Sequence, residues 1–343
     1  MTKIKLLLLI FIVLECVSCD NKNNTLQGNW IQAGSFEGEP RSGAVSFTIG
    51  DDAYIGTGYR KIRNYDETED EHCLKSFYKY NLKNGWMKIA DFPGKARHEA
   101  VAFSINGKGY VGTGVDIDGN RLKDFYEYDP ETNTWKEAPE FIGGARQGAI
   151  AFSINNIGYV GTGYGVLDGE DENYLKNFFK FESGEWTDLG LYPGEKTAYS
   201  TSFVIDNKAY LVSGHGSLDD VWEFDPSVSS VKYECWSHKK DLDTYKQFDD
   251  MLRSNAVSFV IDKKGYLATG RIVPYQRTVW EYDSETDKWI EKTGLEMEIH
   301  SRENAVGFSI NNRGFIATGN VGDYYLDDMW EFNPIMDKTN RDN

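Results

Sequence analysis

Cysteine, histidine and proline are all scarce in this chain, at 4, 5 and 8 of 343 residues. Four cysteines are too few for a disulfide-stapled scaffold of this length. Eight prolines beside 34 glycines rule out a collagen-like or proline-rich composition. Beyond the leader no His or Cys set has the close spacing of a structural zinc site, so the sequence indicates no metal and no cofactor. Positive charge is in deficit, with 37 Lys and Arg against 54 Asp and Glu and a net charge of −17. Such a surface is a poor partner for nucleic acid or an anionic membrane.

Long apolar runs are also missing. Only Leu6–Leu14 is continuous, and nine residues are too short to span a bilayer. With basic Lys3 and Lys5 ahead of it, the run reads as a signal peptide over residues 1–18. The following "ECVSCDNKNN" is similar to a bacterial lipoprotein cleavage box, with small Ser18 before Cys19. Cys16 departs from the leucine usual in such boxes, and cleavage before it would put Glu15 in the small-residue position, so Cys19 is the expected lipidation site. Residues 19–27 then form a polar tether and 28–343 the folded domain. The expected location is the cell envelope, lipid-anchored on the periplasmic side of a membrane or at the cell surface.

What the chain does have is aromatics, 14% of its residues, and a repeat. "KARHEAVAFSINGKGYVGTG" at 95–114 returns as "GARQGAIAFSINNIGYVGTG" at 144–163. Aligned on the central phenylalanine there are six copies, at Phe47, Phe103, Phe152, Phe203, Phe259 and Phe308. Six positions earlier stand Arg41, Arg97, Arg146, Thr197, Arg253 and Arg302. A second strand ends in TG or SG, a third reads "FYEY" or "VWEF", and a fourth carries Trp86, Trp135, Trp186, Trp236 or Trp289. β-branched and aromatic residues in short alternating runs define an all-β domain. The sixth copy lacks its fourth strand, and the N-terminal "NWIQAGS" with Trp30 supplies one. A four-stranded unit completed from the other terminus describes a closed ring of blades.

In these motifs the chain resembles the Kelch-repeat family from Trp30 to Pro334, with TG or SG where the family's paired glycines usually end the second strand. That spelling is similar to Kelch-type lipoproteins of Bacteroidetes. The resemblance implies a six-bladed β-propeller whose phenylalanine strand is innermost, whose tryptophan strand is outermost and whose last blade is closed by the N-terminal strand. Cys73 and Cys235 then fall in blades separated by two others, which argues against a disulfide between them.

Short turns such as "NGK" and "DNK" fall on one face, and long unequal loops after each TG fall on the other, where binding is expected. Recurrence of the arginines in equivalent positions favours a structural role, although Arg97 also stands among the ligand-binding candidates. Positions where copies disagree are more informative. His98, Glu99 and His215 are the candidate acid and base groups, and strand alternation predicts that at most one of His98 and Glu99 faces the channel. Ligand-binding candidates are Tyr59, Arg97, Gln147, Tyr164, Tyr199, Asn255, Arg271, Glu303 and Asn320. The stretches Asp116–Asn120 and Asp168–Asn173 resemble pieces of calcium loops but lack the closing bidentate glutamate, and solvated acidic loops are the simpler reading.

Two functions fit. The leading one is a monomeric, lipid-anchored, non-catalytic module that binds an envelope protein or a carbohydrate. The runner-up, implied by the family resemblance alone, is a metal-independent sugar mutarotase similar to N-acetylneuraminate epimerase. The family's copper oxidases need a tyrosine crosslinked to cysteine, and neither Cys73 in its loop nor Cys235 beside an outer tryptophan is expected to provide it.

Overall fold

The computed structural model describes residues 26–63, 68–167, 171–228, 233–272 and 275–336. The signal peptide, Cys19, most of the tether and Asp168 lie outside the described residues. Among those described are six four-stranded antiparallel sheets. Five run outward in chain order, as in Val101–Ile105, Lys108–Gly112, Phe125–Asp129 and Thr134–Ala138. The sixth takes Val306–Ile310, Arg313–Ala317 and Asp328–Asn333 from the C-terminal end, and its outer strand is Asn29–Ser35. Trp30 pairs with Phe332 and Gln32 with Trp330, so the ring is closed by the terminus that the repeat predicted. Each innermost strand packs against the next, and that of blade six packs against Val45–Ile49 of blade one. Numbering the blades by these strands gives a six-bladed β-propeller.

The repeat follows from what each blade must bury. In every blade the central phenylalanine stacks on the aromatic residue directly opposite in the second strand. Phe47 and Tyr54 lie 4.9 Å apart, Phe103 and Tyr110 5.2 Å, and Phe308 and Phe315 5.2 Å. Small second-strand residues make room, because a Cβ on Gly109 would lie 2.2 Å from Phe47 of the preceding blade. Such aromatic pairs contribute about 0.5–1.5 kcal/mol each beyond their buried area. In blades two to six the turns between first and second strands are two-residue hairpins with both residues left-handed, as at Asn155 and Asn156 (φ 51° and 60°).

The arginines are structural. Arg41, Arg97, Arg146, Arg253 and Arg302 are all 0% exposed. Each donates from Nη1 to the carbonyl of the TG threonine in its own blade, at 2.8–3.1 Å. In blades two and six the guanidinium also grips Asp124 or Asp328 with two donors. Burial pulls Arg146 and Arg253 down to about 9, still protonated at neutral pH. Arg97 is therefore withdrawn as a ligand-binding residue: it is sealed, and its donors are spent inside the blade.

Candidate functional site

Two residues after each arginine position stand Gly43, Glu99, Gly148, Tyr199, Asn255 and Asn304. All six have φ between 53° and 59°. This left-handed step turns the backbone so that each N–H donates to the carbonyl of its counterpart in the preceding blade. Glu99 bonds Gly43 (2.8 Å), Gly148 bonds Glu99 (3.0 Å) and Tyr199 bonds Gly148 (2.7 Å). Asn255 bonds Tyr199 (3.0 Å), Asn304 bonds Asn255 (3.2 Å), and Gly43 closes the cycle at Asn304 (2.8 Å). A strained conformation at four non-glycine residues is maintained because each bond satisfies an otherwise unpaired group. The ring rims a cavity of about 170 Å³ at the loop-bearing end of the central channel.

One glycine in this ring positions the chemistry. Tyr199 lies over Gly148, where a Cβ would stand 2.5 Å from its ring. The Tyr199 hydroxyl can thus cross blade three and donate to Glu99 Oε2 in blade two at 2.9 Å. Gln147 Nε2 donates to the same oxygen at 2.7 Å and to the Tyr199 hydroxyl at 2.9 Å. His98 Nδ1 stands 3.6 Å from Glu99 Oε1. Burial alone would raise the Glu99 pKa, but the interactions with His98, Tyr199 and Gln147 outweigh it and hold the carboxylate below its ordinary value. Burial and the neighbouring Glu99 charge push Tyr199 far up, so it stays a neutral donor.

Strand alternation does not describe His98 and Glu99. The left-handed Glu99 interrupts the strand, and His98, adjoining its carboxylate, packs 5.2 Å from the Tyr59 ring. His215 sits edge-on to Tyr199 at 5.5 Å. His98, Glu99, Gln147, Tyr199, His215 and Tyr59 thus form one half of the mouth.

The other half gathers Arg271, Glu303, Asn320 and Asn255. Arg271 Nη1 is 3.3 Å from Glu303 Oε1 and its guanidinium lies 5.3 Å over the ring of Tyr275. Half of the Arg271 side chain is exposed. Asn304 links to Asn320 at 3.4 Å. Tyr164 stands further out, under the Arg121 guanidinium at 4.7 Å, with Glu172 paired to Arg121.

Sequence reading missed Arg121, Asn304 and the ring glycines. The column two residues past each arginine carried the signal, since it alternates glycine with polar residues at one structural position. Asp116 closes its own loop, accepting from the backbone of Asp118 and Asn120 and from Lys95. Cys73 and Cys235 are free thiols, as expected. Cys73 is not in an isolated loop, however: its strand Glu69–Cys73 pairs with Tyr59–Arg63 and sets it opposite Tyr59, and burial pushes its thiol up to about 12.

Propeller architecture, the TG-ended strands and the ring of loops define the class: the chain folds as a Kelch-type β-propeller. The Kelch motif matches residues 109–141. The solved structure of YjhT superposes with a TM-score of 0.69 and 18% identity over 86% of this chain and 95% of that one. N-acetylneuraminate epimerase of Yersinia enterocolitica is 39% identical over 87 residues, 23% of this chain and 22% of that protein. The protein of the same name from Pasteurella multocida is 37% identical over 112 residues, 30% of this chain and 26% of its own. The matched segments therefore span about a quarter of these relatives.

Proposed function

We propose that the protein is a sugar epimerase of the mutarotase type, acting at the anomeric carbon of an acidic sugar of the N-acetylneuraminate class. The observation that carries this reading is the direct hydrogen bond between an ionised Glu99 and a neutral Tyr199 at the channel mouth. Anomer exchange needs one group to take the proton of the anomeric hydroxyl and another to give a proton to the ring oxygen. Glu99 takes the first proton as the C–O ring bond breaks and the carbonyl forms. Tyr199 gives its proton to the departing ring oxygen and is recharged from Glu99 across the bond they share. Rotation of the open chain and the reverse sequence close the ring on the other face, leaving both residues as they began. Gln147 holds the pair in register, and Arg271, half exposed across the mouth, offers a guanidinium to the sugar's carboxylate. The relatives named as epimerases lend this reading support beside the purely binding one favoured by the sequence alone.

The test is proton NMR of freshly dissolved α- or β-anomer with and without protein. Acceleration by the wild type, reduced about 10²–10⁴-fold in Glu99→Gln and strongly in Tyr199→Phe, is the expected result. No acceleration by the wild type refutes it. A second reading rests on the cation–aromatic platforms Arg121–Tyr164 and Arg271–Tyr275: a carbohydrate-binding module, shown by sugar binding without exchange. Under either reading we place the propeller in the envelope, tethered through a lipidated Cys19.

A further inference from the structure

Blade four breaks the arginine rule, and the break leaves a carboxylate without the cation that its counterparts have. Asp220 accepts the Ser213 N–H at its carbonyl (3.1 Å) just as Asp124 accepts from Thr113 and Asp328 from Thr318 (both 3.3 Å), so the three aspartates hold one structural position. Asp124 and Asp328 are each clamped by a buried arginine. Blades one, three and five keep the arginine but carry neutral Ser76, Asn177 and Thr278 there. Blade four alone retains the aspartate and replaces the arginine, by Thr197, whose hydroxyl bonds the His215 carbonyl (2.8 Å) and Ser200 Oγ (3.0 Å). The ring stacked beneath the guanidinium is Phe36, Phe92 or Phe141 in the first three blades. In blade four it is Tyr192, a hydroxyl held protonated by burial and by nearby Asp220 and Asp241.

Two more ligating groups converge on this place. His238 ends the outer strand Trp236–His238, and Asp241 precedes the short helix Leu242–Thr244. One atom each of Asp220, His238 and Asp241 lies within 4.8 Å of the others. Asp241 Oδ1 is buried and accepts no aligned hydrogen bond, although His238 Nε2 is 2.8 Å away. The adjacent lysines point their charge elsewhere, Lys239 to Glu223 and Lys240 over the Tyr245 ring.

We propose that blade four carries a divalent-cation site of the zinc class, formed by Asp220, His238 and Asp241 where other blades seat a guanidinium. One imidazole with two carboxylates is a donor set that zinc accepts, and water would fill the fourth position. Bonds of about 2.0–2.2 Å put tetrahedral ligand atoms roughly 3.3–3.6 Å apart. A tetrahedral ion would therefore part His238 from Asp241, now 2.8 Å apart, and hold all three ligand atoms within the 4.8 Å they already span. The ion would join the third and outer strands of blade four to the connector leading into blade five.

The experiment is calorimetric titration of zinc chloride into the tag-free, chelator-treated chain, with calcium and magnesium as comparison ions and thermal unfolding in parallel. One zinc per chain is expected, with affinity at least tenfold weaker in His238→Ala and in Asp220→Asn and a zinc-dependent rise in melting temperature lost in both. The double variant Tyr192→Phe/Thr197→Arg, which rebuilds the arrangement of blades two and six, should fold without zinc and no longer bind it. Absence of zinc binding by the wild type overturns the proposal. So does binding that survives unchanged in His238→Ala and Asp220→Asn, which would point to Cys73, Cys235 or another histidine.

Discussion

Replacing Trp30 by alanine tests whether one strand holds the whole ring. Trp30 is 4% exposed and lies 4.9 Å from Phe332 in its own blade and 6.4 Å from Phe259 in blade five. Its Nε1 donates to the Thr293 carbonyl at 3.3 Å, while Thr293 in turn bonds Leu26 and Gln27. The indole therefore pins the closing strand to the C-terminal strand and to the neighbouring blade together. Truncating a buried tryptophan costs about 3–5 kcal/mol. For a domain of this size each kcal/mol lowers the melting temperature by about 1.5 °C, so a fall of about 5–8 °C is expected. Because this strand completes the sheet of blade six, which packs on blades five and one, the loss should appear as one cooperative transition in calorimetry and in tryptophan fluorescence alike. An unchanged melting temperature, or a separate early transition confined to blade six, would refute the argument that closure couples the blades.

Three other outcomes follow from the same geometry. Gly148→Ala should leave the fold intact, at a cost of about 1–2 kcal/mol for the left-handed position, since Glu99, Tyr199, Asn255 and Asn304 already carry a Cβ at the same φ. It should nonetheless displace Tyr199 and break its bond to Glu99; sugar exchange or binding equal to wild type would count against the bridge. The Asp328 carboxyl is subject to burial, which raises its pKa, but its bonds to Arg302 and Trp330 prevail and hold it below the ordinary value. Its contribution is present above about pH 4 and lost as pH falls through the lower folded value, so Asp328→Asn should flatten the acid limb of the stability profile. Activity should persist to pH values below the ordinary glutamate range before Glu99 protonates, and a rate falling already near pH 6 would assign the base to another group.

Much of this protein was legible without coordinates because it is periodic. Phe47 and its five counterparts are spaced alike since each must meet an aromatic partner across one hairpin, and that local rule makes a blade. The N-terminal tryptophan strand was legible for the same reason, as the one piece missing from the sixth copy. Even the structural role of the arginines followed from their recurrence.

The site followed no such rule. Glu99, Gln147 and Tyr199 come from three blades and meet because a ring of backbone hydrogen bonds holds six residues left-handed, Glu99 and Tyr199 among them, and because Gly148 leaves space for a ring to cross it. Asp220, His238 and Asp241 likewise become neighbours only through the pairing of a third strand with a fourth. Sequence by itself determined the blade, its count and its closure, since these repeat a local pairing preference at fixed spacing. Only the tertiary structure decided which non-repeating side chains share a cavity, because that depends on distances across a ring that no single repeat contains.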